Sequence, residues 1–133
     1  MPQPGQELEG PNGYRLRFVS LDPDVLVMEA TYAQKGWLPP EHLHPTQAER
    51  FEVLEGTIRA VVDGEERTYG PGESFDVPAG APHQMTADTP ARLRWEVRPA
   101  LRTAEFFERL YGNPPDPAAL LQEFAGEIQM TRT

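Results

Sequence analysis

The sequence contains no cysteine. Disulfides, zinc ribbons and thiol catalysis are therefore excluded, and any metal must be held through nitrogen and oxygen. Basic residues are scarce: 12 Lys and Arg stand against 21 Asp and Glu, for a formal net charge of −9. Phosphate contacts need clustered Lys and Arg, so nucleic acid is not an expected partner. An anionic membrane surface is disfavoured for the same reason. No apolar run approaches the roughly 20 residues of a membrane-spanning helix. Residues 1–13 are polar and rich in Pro and Gly, without the apolar stretch of a signal peptide. The resulting expectation is a cytoplasmic protein. Histidine is sparse too, occurring only as His42, His44 and His83.

What is present reads as β-structure. A chain of 133 residues suits one domain and can bury a core without staples. Fifteen Pro and eleven Gly punctuate short runs of β-formers, the composition of an all-β sandwich or barrel. Strands are predicted over 14–19, 25–32, 41–44, 50–55, 57–62, 65–69, 74–77, 83–87 and 91–97. Asp63-Gly64 sits between two of them and is the strongest short hairpin signal. The segment 1–13 is expected to be a loose arm, 14–99 the barrel and 100–133 a helical tail.

In the tail, Thr103 is expected to cap a helix running to about Tyr111 and ended by Gly112. Asp116-Pro117 reads as a cap followed by Pro at the first helical position. Leu120, Leu121 and Phe124 give that helix one apolar face. Both helices are expected to pack outside the barrel. Phe106 and Phe107 read as core anchors.

All three histidines belong to one pattern. The first stretch reads G-x5-H-x-H-x4-E-x6-G through Gly36, His42, His44, Glu49 and Gly56. The second reads G-x5-P-x-G-x2-H through Gly72, Pro78, Gly80 and His83. On a strand, residues i and i+2 share a face, so His42 and His44 point the same way. Glu49, Phe51 and Val53 share another face, a carboxylate over an apolar floor. Imidazole suits Fe, Zn, Cu and Ni, and a carboxylate widens the choice to Mn. Three His and one Glu leave about two positions open on an octahedral ion, the mark of a site that takes up substrate or water.

These two motifs resemble those of the cupin superfamily. Every fixed position of the first is matched. In the second, Ala87 stands where the usual pattern ends in Asn, which is not a ligand in that family. Fifteen residues, Thr57 to Pro71, separate the motifs, as in small bacterial cupins. The resemblance implies a double-stranded β-helix, a jelly-roll-like barrel, with a divalent metal on His42, His44, Glu49 and His83. It favours Mn or Fe, with Ni, Zn, Co and Cu compatible. It also implies a small-molecule substrate or ligand and a homodimer.

Similar small cupins include dioxygenases acting on flavonols, thiols or diketones, and sugar isomerases and epimerases. Others bind or sense a small molecule without turnover. In the dioxygenase reading Glu49, once loosened from the metal, is also the candidate general base, with burial raising its pKa. Phe51, Met85 and Trp95 are the candidate substrate-pocket residues, with Leu93 on the same inward face. Trp37 precedes His42, where covering the pocket mouth and simple packing are equally open readings. A sugar-phosphate site should offer inward Lys or Arg. Few are expected here, Arg17 and Arg59 being the two of unassigned facing.

Overall fold

The computed structural model describes residues 1–36 and 38–131. Two antiparallel sheets face one another. The six-stranded sheet contains β1 (Glu7–Glu9), β2 (Arg15–Leu21), β3 (Leu26–Tyr32), β10 (Ala91–Arg98), β5 (Ala48–Glu55) and β8 (Ser74–Val77), in that order. The five-stranded sheet is ordered β11 (Gln129–Met130), β4 (His42–Leu43), β9 (His83–Ala87), β6 (Ile58–Val62) and β7 (Glu65–Tyr69). Helices α1 (Thr103–Leu110) and α2 (Pro117–Glu123) follow β10. This is the all-β architecture that the strand pattern predicts and the jelly-roll-like barrel that the resemblance implies, with short C-terminal helices.

Alternation builds the core. On β5, Glu49, Phe51 and Val53 are buried while Ala48, Arg50 and Glu52 are exposed. On β2, Leu16 and Phe18 are buried between exposed Arg15 and Arg17. Phe18, Phe51, Leu16, Leu26, Met28, Ile58 and Leu93 are all less than 2 % exposed. Burying a side chain of this size stabilises the fold by about 1.5–3 kcal/mol before chain entropy is counted.

Turn chemistry fixes the register. Asp63 and Gly64 have φ of +52° and +83°, the type I′ conformation that matches the twist of a two-residue hairpin. Gly56 has φ +78°, and a Cβ there would lie 2.2 Å from the Pro90 carbonyl oxygen. Only glycine fits that turn between β5 and β6.

Four expectations need correction. The segment 1–13 is not wholly loose, because β1 pairs with β2 from Glu7↔Arg17 to Glu9↔Arg15. The strand bearing His42 is two residues long, and His44 lies just past its end. Thr103 does not cap α1: Arg102 holds that position without a side-chain cap. The Thr103 hydroxyl instead accepts from buried Gln47 Nε2 at 2.7 Å. Tertiary satisfaction of Gln47 displaced the local capping role.

The fourth correction concerns the tail, which does not simply lie outside. Phe106, Phe107, Leu110 and Leu121 wall a cavity that opens into the barrel. The chain then returns as β11, pairing Gln129 with Leu43 and Met130 with His42. Phe106 and Phe107 are both buried, at 2 % and 7 % exposure. Asp116 caps α2 as its sequence suggests, accepting from the Ala119 amide at 3.1 Å.

Candidate metal centre

The two sheets supply different ligand types. His42 on β4 and His83 on β9 are directly paired across the five-stranded sheet. His44 follows two residues after His42, and its carbonyl accepts from the Gly80 amide at 2.8 Å. The Pro78–Gly80 corner that aims His83 is thereby tied to His44. Glu49 comes from the opposite sheet, where β5 lies between β10 and β8.

The three imidazole rings cluster, with centroids 4.4 Å apart for His42–His83, 5.1 Å for His42–His44 and 5.3 Å for His44–His83. One nitrogen from each ring falls within 4.8 Å of the others. Glu49 Oε1 lies 2.9 Å from His83 Nε2 and 3.2 Å from His44 Nε2. Its second oxygen accepts from the Trp95 indole Nε1 at 2.7 Å. His44, His83 and Glu49 are at most 4 % exposed.

Backbone carbonyls decide which nitrogen faces the cluster. His42 Nδ1 meets the Pro40 carbonyl at 3.0 Å, His83 Nδ1 the Ala81 carbonyl at 3.0 Å, and His44 Nδ1 the Glu127 carbonyl at 2.7 Å. A carbonyl only accepts, so each Nδ1 carries the proton. In the neutral ring, Nε2 then presents a lone pair. Three such lone pairs converge beside a carboxylate, with each histidine held by a carbonyl in the way that metal-binding imidazoles usually are.

The polar atoms at this point are poorly satisfied. With the rings neutral, His44 Nε2 and Glu49 Oε1 face each other at 3.2 Å as two buried acceptors with no donor between them. Leaving such groups unpaired costs about 1–3 kcal/mol each. A cation among them would satisfy both, and the all-N/O donor set suits a divalent transition metal. The residues therefore fit the ion that the motif implies.

Charge follows the same geometry. Burial, then the neighbouring His83, push His42 down to about 4, so it is neutral near pH 7. Burial also pulls His44 down, but the Glu49 carboxylate and the Glu127 carbonyl outweigh it and hold His44 above its ordinary value. Burial pushes Glu49 up, yet the imidazoles of His44 and His83 hold it well below the usual carboxylate range. Burial alone was expected to make Glu49 a stronger base. The facing imidazoles reverse that sign, so Glu49 is held as an anion.

The cluster opens into a cavity of about 1200 Å³. Phe51, Met85 and Trp95, the candidate pocket residues, all line it, as does Leu93. Trp37 lies outside the described residues. Tyr14, Tyr32 and Tyr111 also line the cavity, although their sequence context did not single them out. Burial pushes the Tyr111 hydroxyl up to about 12 and raises Tyr14 and Tyr32 further, so all three are uncharged at neutral pH. Strand parity was the available signal for two of them. Tyr14 precedes Leu16 and Phe18 in step, and Tyr32 follows Met28 and Ala30 in step. Among the described residues no Lys or Arg lines the cavity. Arg17 and Arg59 both point outward, to Glu29 at 3.8 Å and Asp88 at 2.9 Å.

The family model described as "Cupin domain" matches residues 28–97, which include all three histidines and Glu49. No curated protein matches the sequence. Among solved structures, KdgF from Halomonas sp. is 19 % identical, with a TM-score of 0.65 over 71 % of this chain and 86 % of that one. An RmlC-like cupin from Shewanella frigidimarina NCIMB 400 is 19 % identical, with a TM-score of 0.65 over 74 % and 87 %. Pac13, described as a nucleoside dehydratase, is 15 % identical, with a TM-score of 0.60 over 71 % and 75 %. A point variant of Pac13 from Streptomyces has been seen with uridine. At these identities the likeness is one of fold.

Proposed function

The chain belongs to the cupin family, and from that premise we propose that it is a metal-dependent enzyme acting on a small organic molecule, with dioxygenase-type chemistry. The observation that carries this reading is the convergence of three carbonyl-locked imidazoles and a buried carboxylate at the head of an aromatic-lined cavity. His42, His44, His83 and Glu49 would hold the metal. Mn or Fe is the favoured ion, with Ni, Zn, Co and Cu as alternatives. When bound, the metal would supply Lewis acidity and a template for orienting reactants.

The lining residues narrow the substrate class. Phe51, Leu93, Trp95 and Phe107 offer an apolar wall, which favours an aromatic or hydrophobic molecule. The absence of Lys and Arg among the described lining residues disfavours a sugar phosphate, whose charge would go unpaired. Glu49 is best read as a ligand. To act as a base it would have to leave the two imidazoles and the Trp95 indole that hold it as an anion.

A second reading is a site that binds or rearranges a hydroxylated molecule without oxygen chemistry, as a sensor, isomerase or epimerase. The fold likeness to Pac13, seen with uridine, favours it. Oxygen consumption separates the two. The protein, loaded in turn with Fe(II) and Mn(II), is mixed with flavonols, diketones and thiols in an oxygen electrode cell. Uptake that depends on both metal and substrate supports the oxygenase. Binding of panel members without uptake supports the second reading.

A further inference from the structure

We propose that Trp95 is a positioning residue that commits Glu49 to the metal through a single oxygen. The proposal rests on the metal-centre reading above and adds a residue whose one polar side-chain atom is turned to the carboxylate. The two Glu49 oxygens have different surroundings. Oε1 faces the His44 and His83 Nε2 atoms at 3.2 and 2.9 Å. Oε2 accepts from Trp95 Nε1 at 2.7 Å. The carboxylate side chain is wholly buried, so water does not compete for Oε2.

Strand register puts the two residues in reach. Trp95 pairs with Phe51 and Val97 with Glu49, so Trp95 and Glu49 are diagonal neighbours on one face of adjacent strands. Diagonal neighbours are about 7–8 Å apart, a gap that an indole spans. The indole is itself held, stacked on Phe51 at 5.3 Å and edge-on to Phe107 at 5.3 Å between ring centroids. Its N–H direction is therefore set by packing.

Indole nitrogen is a donor only and stays uncharged across the physiological range. It can anchor Oε2 but cannot ligate a metal or exchange a proton. With Oε2 anchored, Oε1 is the oxygen turned toward the histidines. Without the indole N–H, the carboxylate is free to rotate about its last torsion, which is soft for a Glu side chain. Phenylalanine at 95 preserves most of the ring packing and removes only this donor, so Trp95→Phe isolates the positioning role.

The test is a double-mutant cycle read by Co(II), whose visible spectrum reports its ligands. Wild type, Trp95→Phe, Glu49→Gln and the double variant are titrated with Co(II). Wild type should bind, and Trp95→Phe should bind about 10-fold more weakly with a changed visible band. In the Glu49→Gln background the same change at Trp95 should alter affinity by less than about 2-fold, because the pair acts as a unit. Equal weakening in both backgrounds would mean general loosening and overturn the proposal, as would an unchanged Trp95→Phe. Failure of folded wild type to bind Co(II) would overturn the metal reading and this role with it.

A second measurement avoids substituting Trp95. The Trp95 indole N–H resonance, assigned with a Trp37→Phe variant, should move in Glu49→Gln and on adding Zn(II). A resonance unmoved by Glu49→Gln would contradict the proposal even if Trp95→Phe does not fold.

Discussion

His44 Nδ1 meets the backbone carbonyl of Glu127 at 2.7 Å across 83 residues of sequence. One imidazole of the candidate metal centre is thus oriented by the tail, not by the barrel that carries it. Arg102 secures that tail. Its backbone amide and guanidinium reach the Glu127 carboxylate at 3.3 and 3.4 Å, and the guanidinium also donates to the Glu123 carbonyl at 2.9 Å.

Arg102→Ala should therefore loosen residues 123–131 and, through Glu127, weaken metal binding at a site it does not touch. Amide exchange in this segment should speed up. Zn(II) affinity should fall by about 10-fold, the scale of lost outer support for a ligating histidine. Exchange unchanged in the tail, or faster exchange with unaltered affinity, would separate the tail from the metal centre.

Metal binding should release the proton that His44 carries. His44 is held above its ordinary value by Glu49, so near pH 6 it carries a proton that an incoming cation must displace. His42 has a pKa of about 4 and is already neutral there. Affinity should rise with pH until His44 is fully deprotonated and level off above. Calorimetry in buffers of different ionisation enthalpy should give a larger proton release near pH 6 than at higher pH. Release that grows as pH rises would contradict the assignment.

Two glycines in similar conformations should respond very differently to alanine. Gly56 and Gly64 both have positive φ, at +78° and +83°. A Cβ on Gly56 would lie 2.2 Å from the Pro90 oxygen and 2.8 Å from Ala91 Cα, whereas one on Gly64 meets nothing within 4 Å. Gly64→Ala should cost about 1–2 kcal/mol, the left-handed penalty alone. Gly56→Ala should cost about 2–5 kcal/mol, because the backbone of the Pro90 turn must also shift. Denaturant unfolding of the two variants checks the difference.

Much of this was readable from the chain. Period-two alternation placed β2, β5 and β10, and Asp63-Gly64 placed the β6–β7 hairpin. The histidine spacing brought His42, His44 and His83 together. Side chains with a strong local preference leave such signatures. Backbone carbonyls do not, which is why the Glu127–His44 link and the short β11 pairing with β4 left no trace in the sequence. Thr103 misled for a related reason. Its hydroxyl has a strong local use as a cap, but buried Gln47 takes it as an acceptor. Burial alone raises a carboxylate, but the motif also sets two imidazoles beside Glu49, and at hydrogen-bond distance their effect is the larger.

The most direct test of the central claim is metal content. Freshly purified wild type and a His42→Ala, His44→Ala double variant are analysed side by side by elemental analysis, with circular dichroism to check that both are folded. Wild type should carry close to one equivalent of a divalent transition metal, or take it up on reconstitution, and the folded double variant should lose it. A folded wild type that binds no such metal, or a double variant that retains it fully, would contradict the account.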